Sequence, residues 1–264
     1  CQMRLMATPS DLELANRLAD AAGEAIRPLF RGEWDEEQKA DRSFVTEADK
    51  AAEAAMRAIL EAERADDGII GEEYGTRNEG ARRQWMLDPI DGTTSFIAGR
   101  PIFGTLIGLL QDGFPVLGII DQPIARERWA GRMSEGTTFN GKPVRTAPCR
   151  ELSDAVLGTT SPHHFSGHEA DHFMGLAKAV AERKMIYGGD CYNYGLVASG
   201  HVDIVCEAGL KLHDFAALAP IVEGAGGLMC DWAGEPLHAD SDGTVLAIGD
   251  PARLEDVLEA MSHS

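Results

Sequence analysis

Two aspartates, Asp88 and Asp91, lie close together in the segment WMLDPIDGTTSF, residues 85–96. A buried carboxylate without a counter-charge is costly, so a hydrophobic run that ends on such a pair needs a cation nearby. Pro89 restricts the backbone between the two carboxylates, and Gly92 allows a ligand to approach the chain closely. Carboxylate oxygens are ligands that magnesium prefers. The segment therefore predicts a divalent-metal site.

Three hydroxyl residues follow this pair directly. We expect Trp85, Met86 and Leu87 to form a buried strand with Asp88 at its carboxyl end, where sheets of this type bind ligands. After it, the residues from Thr93 to Ser95 are predicted to cap a short helix. Free N–H groups at a helix start attract anions. Hard oxygen ligands beside such N–H groups indicate a site for a metal ion and a phosphate.

Acidic residues elsewhere could complete this site. Glu72 and Glu73 end the short apolar run GIIGEEY, and Asp214 opens a predicted helix in KLHDFAALAPIVEGAGG. Each also has an ordinary structural interpretation, since Asp214 could be only a helix N-cap and one glutamate a solvated turn residue. Thr46 and Asp49 could likewise form only a capping box. At this point both interpretations stay open for each residue.

The composition restricts the classes of partner. The chain has 264 residues, 44% of them hydrophobic, which is enough for one large domain or two modest ones. Its 24 Lys and Arg residues against 43 Asp and Glu residues give a formal net charge of -19. Such a charge repels nucleic acids and anionic membranes, so we expect neither as a partner. A phosphorylated small molecule would need metal ions to supply positive charge.

The cysteines and the chain start favour a cytoplasmic protein. The five cysteines are scattered without a CxxC pair, so neither a disulfide framework nor a zinc site is predicted. The segment SPHHFSGHEADHF contains four histidines, but loop histidines without a nearby cysteine are weak evidence for zinc. We find no membrane-length apolar run and no signal-peptide core. Cys1 could carry a lipid, but Met3 and Met6 favour a variable start.

Apolar periodicity predicts the elements that position the acidic residues. Amphipathic helices are expected over residues 11–30, with Ser10 as the N-cap, and after Thr46 as far as Gly68. From Gly104, two apolar runs around an Asp-Gly turn predict a hairpin. Beyond Pro148, strand-like runs alternate with helices, which indicates an α/β half.

Together these motifs resemble the inositol monophosphatase family. The matching segments occur in the order and roughly the spacing of that family: VTEAD at 45–49, GEE at 71–73, WMLDPIDGTTSF at 85–96 and HDFAALAPIVEGAGG at 213–227. The resemblance covers nearly the whole chain. It implies a layered αβαβα sugar-phosphatase fold, α+β or α/β in class, with two mixed sheets. It also implies Mg²⁺-dependent hydrolysis of a phosphate monoester, two or three Mg²⁺ ions per site, and a homodimer.

The resemblance assigns roles to individual residues. The implied magnesium ligands are Glu72, Asp88, the backbone carbonyl of Ile90, Asp91 and Asp214. Asp88 would bridge two ions, and a weaker third ion would lie near Glu72. Thr93, Asp49 and Glu72 would form the catalytic group, in which Thr93 is held by Asp49 and orients or deprotonates the attacking water. The amides of Gly92 and Thr93 would bind the phosphate.

Within this family, the likeness to histidinol-phosphatases rests on three segments: YGGDCYNYGLVASG at 187–200, VCEAGLKLHD at 205–214 and IAGRPIFGTLIGLL at 97–110. It implies substrate contacts at Gly188, Gly189, Asp190 and Glu207. An aspartate at position 190, where inositol phosphatases generally have a small residue, suits a cation. Histidinol phosphate carries an ammonium group and an imidazole that carboxylates could bind. Asp190 could instead cap the following helix.

The likeness leaves alternatives and shows departures from the family pattern. The alternatives are an inositol monophosphatase or a broad sugar-phosphate phosphatase, and a regulatory binding protein on the same fold. His213 stands where Trp or Tyr is common, and Phe44 replaces a common proline. We expect both to affect metal affinity more than metal identity. The predicted halves are an α+β half, residues 1–147, with most metal ligands, and an α/β half, residues 148–264, with Asp214 and the substrate-selecting residues.

Overall fold

The computed structural model describes residues 9–32, 36–38 and 44–262. Cys1 lies outside these residues, and so do the side chains of Phe44 and Thr46. The hypotheses of a lipidated terminus, of altered packing at Phe44 and of a Thr46 hydroxyl cap therefore stay predictions.

The described residues form seven α-helices. Their bounds are α1 (Pro9–Ile26), α2 (Glu47–Glu63), α3 (Thr93–Ile97), α4 (His168–Ala179), α5 (Asp190–Ala198), α6 (Leu212–Gly224) and α7 (Leu254–Ser262). Among the described residues, no helix is both long enough and apolar enough to cross a lipid bilayer.

Helix α1 buries much of the predicted apolar face, including Ala15, Leu18 and Ile26, but its ends differ from the prediction. It begins at Pro9, so Ser10 lies inside the helix and the prediction of Ser10 as the N-cap is wrong. It ends at Ile26 instead of continuing to residue 30. Pro28 explains the early end, since proline has no N–H to donate and disfavours a helical residue before it.

Within the described residues, the larger sheet has eight strands in the order β10-β9-β8-β7-β6-β5-β3-β4. The β3 and β5 strands are parallel, and the other neighbours are antiparallel. The predicted hairpin joins β6 to β7. The strands are β3 (Gly68–Gly71), β4 (Gly75–Arg77), β5 (Arg83–Asp91), β6 (Gly104–Gln111), β7 (Phe114–Gln122), β8 (Glu127–Arg132), β9 (Gly136–Phe139) and β10 (Lys142–Val144). Before them, β1 (Glu36–Gln38) pairs with β2 (Phe44–Thr46).

The second sheet, as far as the chain is described, has five strands in the order β12-β11-β13-β15-β14. The β11 strand is parallel to both of its neighbours, and β15 is antiparallel to both of its own. Each strand falls in one of the strand-like runs predicted after Pro148. Their bounds are β11 (Leu157–Thr159), β12 (Met185–Tyr187), β13 (Ile204–Glu207), β14 (Leu228–Cys230) and β15 (Val245–Ile248).

The elements stack as five layers. Helices α1 and α2 pack on the larger sheet, α5 and α6 contact strands of both sheets, and α4 and α7 pack together beyond the smaller sheet. This αβαβα order with two mixed sheets confirms the predicted fold class. One buried cluster joins Leu106 and Trp129 of the larger sheet to Val205 and Phe215, which come later in the chain. The division at residues 147 and 148 stays a prediction.

Three glycines let α6 lie directly on the larger sheet. Gly108, Gly118 and Gly131 are paired across β6, β7 and β8 and form one row, here called the glycine row. A Cβ atom on Gly118 would lie 1.8 Å from the carbonyl oxygen of Ala217, and one on Gly131 would lie 2.5 Å from that of Pro220. A side chain at these positions would push α6 away. The glycine row therefore helps to place Asp214, in the first turn of α6.

Candidate metal and substrate site

The segment from Asp88 to Asp91 stays in the sheet for longer than predicted. Strand β5 continues to Asp91, so the expectation that the strand ends at Asp88 is wrong. The register with β6 shifts between Asp88 and Asp91, beside Pro89, which cannot donate to the sheet. The Thr105 hydroxyl donates to the Pro89 carbonyl at 2.8 Å, and the Ile90 amide donates to Asp88 Oδ1 at 3.1 Å. The irregularity thus holds both carboxylates in a defined local geometry.

The start of α3 also differs from the prediction. Gly92 is the N-cap, with φ 86° and ψ 41°, and no side chain caps the helix. The prediction that the hydroxyl residues from Thr93 to Ser95 act as caps is therefore wrong. The Thr93 hydroxyl instead donates to the Ile90 carbonyl at 3.2 Å. A positive φ favours glycine, which explains why position 92 takes the cap place. The predicted contact of Thr93 with Asp49 stays a prediction.

The structure brings the predicted carboxylate ligands together. Asp88, Asp91 and Asp214 each offer an oxygen, and these atoms lie within 4.8 Å of one another. Asp88 also belongs to a second such group, with Glu72 and His213. Asp88 is 3% exposed, and it lies where the two groups meet. Sequence reasoning predicted four of these five residues and treated His213 only as a packing change.

Asp214 takes part in both the helix start and the acidic group. It is the third residue of α6, with Lys211 as the N-cap, so it is not the N-cap itself. Its Oδ2 accepts a hydrogen bond from the Lys211 amide at 2.7 Å. Asp214 can therefore accept this hydrogen bond at the helix start and also lie near Asp88. Its Oδ1 lies 3.3 Å from His213 Nε2.

Glu72 is placed by a contact that sequence reasoning missed. The Glu72 amide donates to the Leu87 carbonyl at 3.2 Å, which continues the pairing of β3 with β5. Glu53 of α2 is buried, and its carboxylate accepts hydrogen bonds from the amides of Glu73 at 2.7 Å and Tyr74 at 3.2 Å. Arg57 pairs with the same carboxylate at 2.7 Å. The sequence did contain a signal for Glu53, because this residue lies one helical turn after Asp49.

Asp190 reaches from the second half of the chain to Gly92. A Cβ atom on Gly92 would lie 2.7 Å from Asp190 Oδ2, so only glycine allows this approach. The Ser95 hydroxyl donates to the same oxygen at 3.3 Å. Gly188, Gly189 and Asp190 all have positive φ values, of 80°, 116° and 42°. Because Gly189 is the N-cap of α5 and Asp190 is its first residue, the interpretation of Asp190 as a simple helix cap does not hold.

A cavity of about 180 Å³ lies between these groups. Its lining includes Asp91, Thr160, His164, Asp190, Cys191, Tyr194, Glu207 and Asp214. Glu207 is 7% exposed and accepts hydrogen bonds from the Thr160 hydroxyl at 2.5 Å and the Tyr194 hydroxyl at 2.8 Å. The Asp91 carboxylate accepts a hydrogen bond from the Cys191 amide at 2.6 Å. The cavity thus joins the acidic group to the residues predicted to contact a substrate.

The sequence model of a protein family, described as the inositol monophosphatase family, matches residues 10–262 of this chain. The chain belongs to this family. The bifunctional phosphatase IMPL2, chloroplastic, of Arabidopsis thaliana is 46% identical, over 96% of this chain and 77% of that protein. A histidinol-phosphatase of Chlorobaculum parvum is 36% identical, over 90% of this chain and 92% of its own length. The solved structure of an inositol monophosphatase from Zymomonas mobilis has a TM-score of 0.87 and 51% identity, and it covers 96% of this chain and 98% of its own.

As a member of the inositol monophosphatase family, the protein is a phosphatase, and the family depends on a metal ion, typically Mg²⁺. The residues present fit such an ion. Burial, and then the charges of Glu72, Asp91 and Asp214, raise the pKa of Asp88 well above its usual value. Burial and the charge of Asp190 do the same for the pKa of Asp91. A divalent cation would offset this repulsion, and carboxylate oxygens suit Mg²⁺.

The two carboxylates predicted to contact a substrate, Asp190 and Glu207, have different surroundings from those of Asp88 and Asp91. Burial raises the pKa of Asp190, while the Ser95 hydrogen bond and the charges of His164 and Arg100 lower it. Burial raises the pKa of Glu207 to about 7, against the hydrogen bonds from Thr160 and Tyr194. Glu207 therefore changes charge near neutral pH. Asp190 has cationic neighbours as well as carboxylate neighbours.

Sequence reasoning also missed several residues of the cavity wall. Thr160 follows β11 and Tyr194 lies on α5, and the two meet only at Glu207, so no local pattern marks them. His164 belongs to the histidine-rich segment considered for zinc, and it lines the cavity instead. His172 of that segment contacts the Met261 carbonyl at 2.8 Å. Over the described residues, neither candidate metal group includes a histidine of this segment.

Proposed function

We propose that the chain is a magnesium-dependent histidinol-phosphatase, which converts histidinol phosphate and water to histidinol and phosphate in histidine biosynthesis. The observation that carries the proposal is the position of Asp190. Its carboxylate lies against Gly92, beside the acidic group of Asp88, Asp91 and Asp214. A phosphate at the acidic group and a cation at Asp190 would therefore belong to one small molecule.

The metal part of the proposal uses the residues predicted from the sequence. Glu72, Asp88, the carbonyl of Ile90, Asp91 and Asp214 would hold two or three Mg²⁺ ions. When bound, such ions supply a more acidic water and neutralise charge on the leaving oxygen. Thr93 lies close to this proposed metal site, because its hydroxyl donates to the Ile90 carbonyl at 3.2 Å. In the proposal, Thr93 and Asp49 orient the water and take up its proton, and the amides of Gly92 and Thr93 bind phosphate oxygens.

The substrate part uses the second half of the chain. Gly188 and Gly189 form the turn that presents Asp190, and Glu207 lines the same cavity. A carboxylate gains a charge-assisted hydrogen bond of about 1.5–3 kcal/mol from a cationic donor. This free energy corresponds to an increase in affinity of about one to two powers of ten. The names of curated relatives, a histidinol-phosphatase among them, support the same substrate.

A second candidate function is the hydrolysis of inositol phosphate or of a range of sugar phosphates. It is favoured by the hydrogen-bonding groups of the cavity, Thr160, Tyr194 and Glu207, which could also contact the hydroxyls of a polyol. The inositol monophosphatase of Zymomonas mobilis is 51% identical to this chain. A regulatory binding protein on the same fold is less well supported, because the acidic residues expected of an enzyme are all present. A homodimer and a cytoplasmic location stay predictions.

The deciding experiment compares histidinol phosphate with inositol 1-phosphate at saturating Mg²⁺. We expect the unmodified enzyme to have a higher kcat/KM for histidinol phosphate than for inositol 1-phosphate. In Asp190→Asn, the kcat/KM for histidinol phosphate should fall roughly 10- to 100-fold. Asparagine tolerates a positive φ, so the turn should be kept. Inositol phosphate hydrolysis should change little. Asp154→Asn, at an exposed aspartate on the same half, is the control.

Two outcomes would contradict the proposal. A preference of the unmodified enzyme for inositol phosphate would favour the second candidate function. Equal losses on both substrates in Asp190→Asn would mean that Asp190 supports the shape of the site and does not select the substrate.

A further inference from the structure

His213 brings an imidazole to the edge of the acidic group. It is the second residue of α6 and directly precedes Asp214. Its side chain is only 14% exposed, so it is not a freely solvated surface histidine. A ring nitrogen of His213 and one oxygen each of Glu72 and Asp88 lie within 4.8 Å of one another. The helix start therefore contributes two neighbouring side chains to the site, one with oxygen donors and one with nitrogen donors.

The distances suit a single ion between the three side chains. Nitrogen and oxygen ligands lie about 2.0–2.2 Å from a bound zinc ion, so two ligands of one ion are at most about 4.4 Å apart. The three donors lie within 4.8 Å of one another, which is close to this limit. His213 Nε2 also lies 3.3 Å from Asp214 Oδ1.

The two groups that share Asp88 differ in their chemistry. Asp88, Asp91 and Asp214 offer only oxygens, whereas Glu72, Asp88 and His213 offer two oxygens and one nitrogen. Oxygen donors suit Mg²⁺, and imidazole suits transition metals such as Zn²⁺. The two positions should therefore not prefer the same ion.

We propose that His213 is a metal ligand, and that together with Glu72 and Asp88 it forms a second metal position that favours a divalent transition metal over Mg²⁺. The inference rests on the proposed function only in taking Glu72 and Asp88 as metal ligands. From the sequence, His213 is expected to change metal affinity more than metal identity. Because the imidazole supplies a nitrogen donor, we now expect His213 also to affect which metal ion the site prefers.

The test measures metal binding by the full chain without substrate. The probes are Mn²⁺, Zn²⁺ and Mg²⁺ alone, added to protein freed of metal by a chelator and followed by calorimetry. Transition metals bind most sites more tightly than Mg²⁺, so the informative quantity is the change in the affinity ratio on substitution. We expect His213→Tyr, which places an aromatic residue common in the family, to reduce the Mn²⁺ to Mg²⁺ affinity ratio about 10- to 100-fold. His213→Asn should behave in the same way.

A spectroscopic readout separates ligation from packing. Bound Mn²⁺ should show magnetic coupling to an imidazole nitrogen in pulsed electron paramagnetic resonance, and His213→Tyr should lose this coupling. The control is His201→Asn, at an exposed histidine after α5, which should keep both the coupling and the affinity ratio. Circular dichroism checks that each variant is folded.

The outcomes distinguish this inference from the proposed function. If the enzyme hydrolyses histidinol phosphate with Mg²⁺ but shows no nitrogen coupling and no change of ratio in either variant, His213 is not a ligand and the inference is wrong. If the coupling depends on His213 but no phosphate monoester is hydrolysed with any of the metals, the inference stands and the proposed function is wrong.

Discussion

Asp88 shows how one residue can be unfavourable for folding and suitable for function. Its carboxylate is almost fully buried, and its neighbours Glu72, Asp91 and Asp214 are also acidic. Without a cation, burial and like charges raise its pKa. The charged form of Asp88 therefore destabilises the metal-free protein at neutral pH.

A substitution at Asp88 should have opposite effects with and without metal. Asp88→Asn removes the charge and keeps the size, so we expect the metal-free variant to unfold at a higher temperature than the metal-free wild type at pH 7. With saturating Mg²⁺ the order should reverse, and phosphate release should be abolished. Asp214→Asn should abolish turnover in the same way. Thermal unfolding with chelator and with Mg²⁺ tests this, and a variant that is less stable in both conditions would contradict the reversal.

Glu207 predicts a pH dependence of stability. Its pKa is raised from 4.5 to about 7, so the folded state holds its proton more tightly than the unfolded state. The stabilisation is complete below pH 4.5 and is lost as the pH rises through about 7. It amounts to about 3 kcal/mol. In chelator, urea unfolding of the wild type should therefore lose more stability between pH 5 and pH 8 than that of Glu207→Gln. Equal losses would mean that Glu207 does not titrate in this range.

Local sequence patterns predicted the acidic residues of the site but not the residues around them. Asp88, Asp91 and Asp214 could be found because each stands in a recognisable motif, in the last residues of β5 or the first turn of α6. Thr160 and Tyr194 carry no such mark, because they become neighbours only when α5 packs against the second sheet. Residues that meet by packing cannot be predicted from spacing along the chain.

Helix α2 contributes two buried carboxylates one turn apart, Asp49 and Glu53. Glu53 accepts hydrogen bonds from the amides that follow Glu72, and it is paired with Arg57. The helix therefore holds the turn that presents Glu72. This is a supporting contact of the kind that orients metal ligands in proteins.

Loss of the Glu53 charge should weaken metal binding more than catalysis. We expect Glu53→Gln to lower Mg²⁺ affinity about 10- to 100-fold, with kcat largely restored at saturating Mg²⁺. Glu61→Gln, at a partly exposed glutamate of the same helix that pairs with Arg77, is the control and should have little effect. Mg²⁺ titration of phosphate release and direct calorimetry measure the two quantities. A loss of kcat that excess Mg²⁺ does not restore would assign Glu53 a different role.

The glycine row predicts a strong effect of adding one methyl group. In Gly118→Ala the new Cβ would overlap the Ala217 carbonyl, so α6 must move or the strand must bend. Overpacking typically costs about 1–3 kcal/mol. We expect urea unfolding to show at least this loss, together with weaker Mg²⁺ binding because Asp214 lies on α6. Gly80→Ala is the matched control, since its Cβ would have no neighbour within 4 Å. Normal stability of Gly118→Ala would show that α6 can shift without cost.

Element types were easier to predict than element ends. The predicted strands after Pro148 and the β6–β7 hairpin are present, because alternating apolar runs and an Asp-Gly turn are strong local signals. Both ends of α1 and the cap of α3 were predicted wrongly. Helix α1 begins at Pro9, ahead of Ser10, and ends early before Pro28, and the left-handed Gly92, not a hydroxyl residue, is the N-cap of α3. The glycine row had no detectable signal, because its partners on α6 are distant in sequence.

At the scale of the whole molecule, the two predicted halves share buried surface. The cluster that joins Leu106 and Trp129 to Val205 and Phe215 crosses the proposed boundary at residues 147 and 148. Helices α5 and α6 contact both sheets. We therefore expect the halves to unfold together, even though each contains its own sheet.

Hydrogen exchange in increasing urea tests this expectation. Amides of β6, in the larger sheet, and of β15, in the smaller one, should lose protection at the same urea concentration. The metal-free protein is the stricter case, because bound ions would add contacts between the halves. Separate midpoints for β6 and β15 would show that the halves are independent units.

The glycine row also sets an order of events in folding. Its three glycines precede α6 by a long stretch of chain, so the closest contact between helix and sheet closes a large loop. Contacts between residues distant in sequence slow folding, because chain entropy is lost before the contact compensates for it. During synthesis the strands β6, β7 and β8 leave the ribosome before α6 exists. The sheet face that carries the glycine row must therefore stay uncovered by α6, and prone to aggregation, until Leu212–Gly224 has been made.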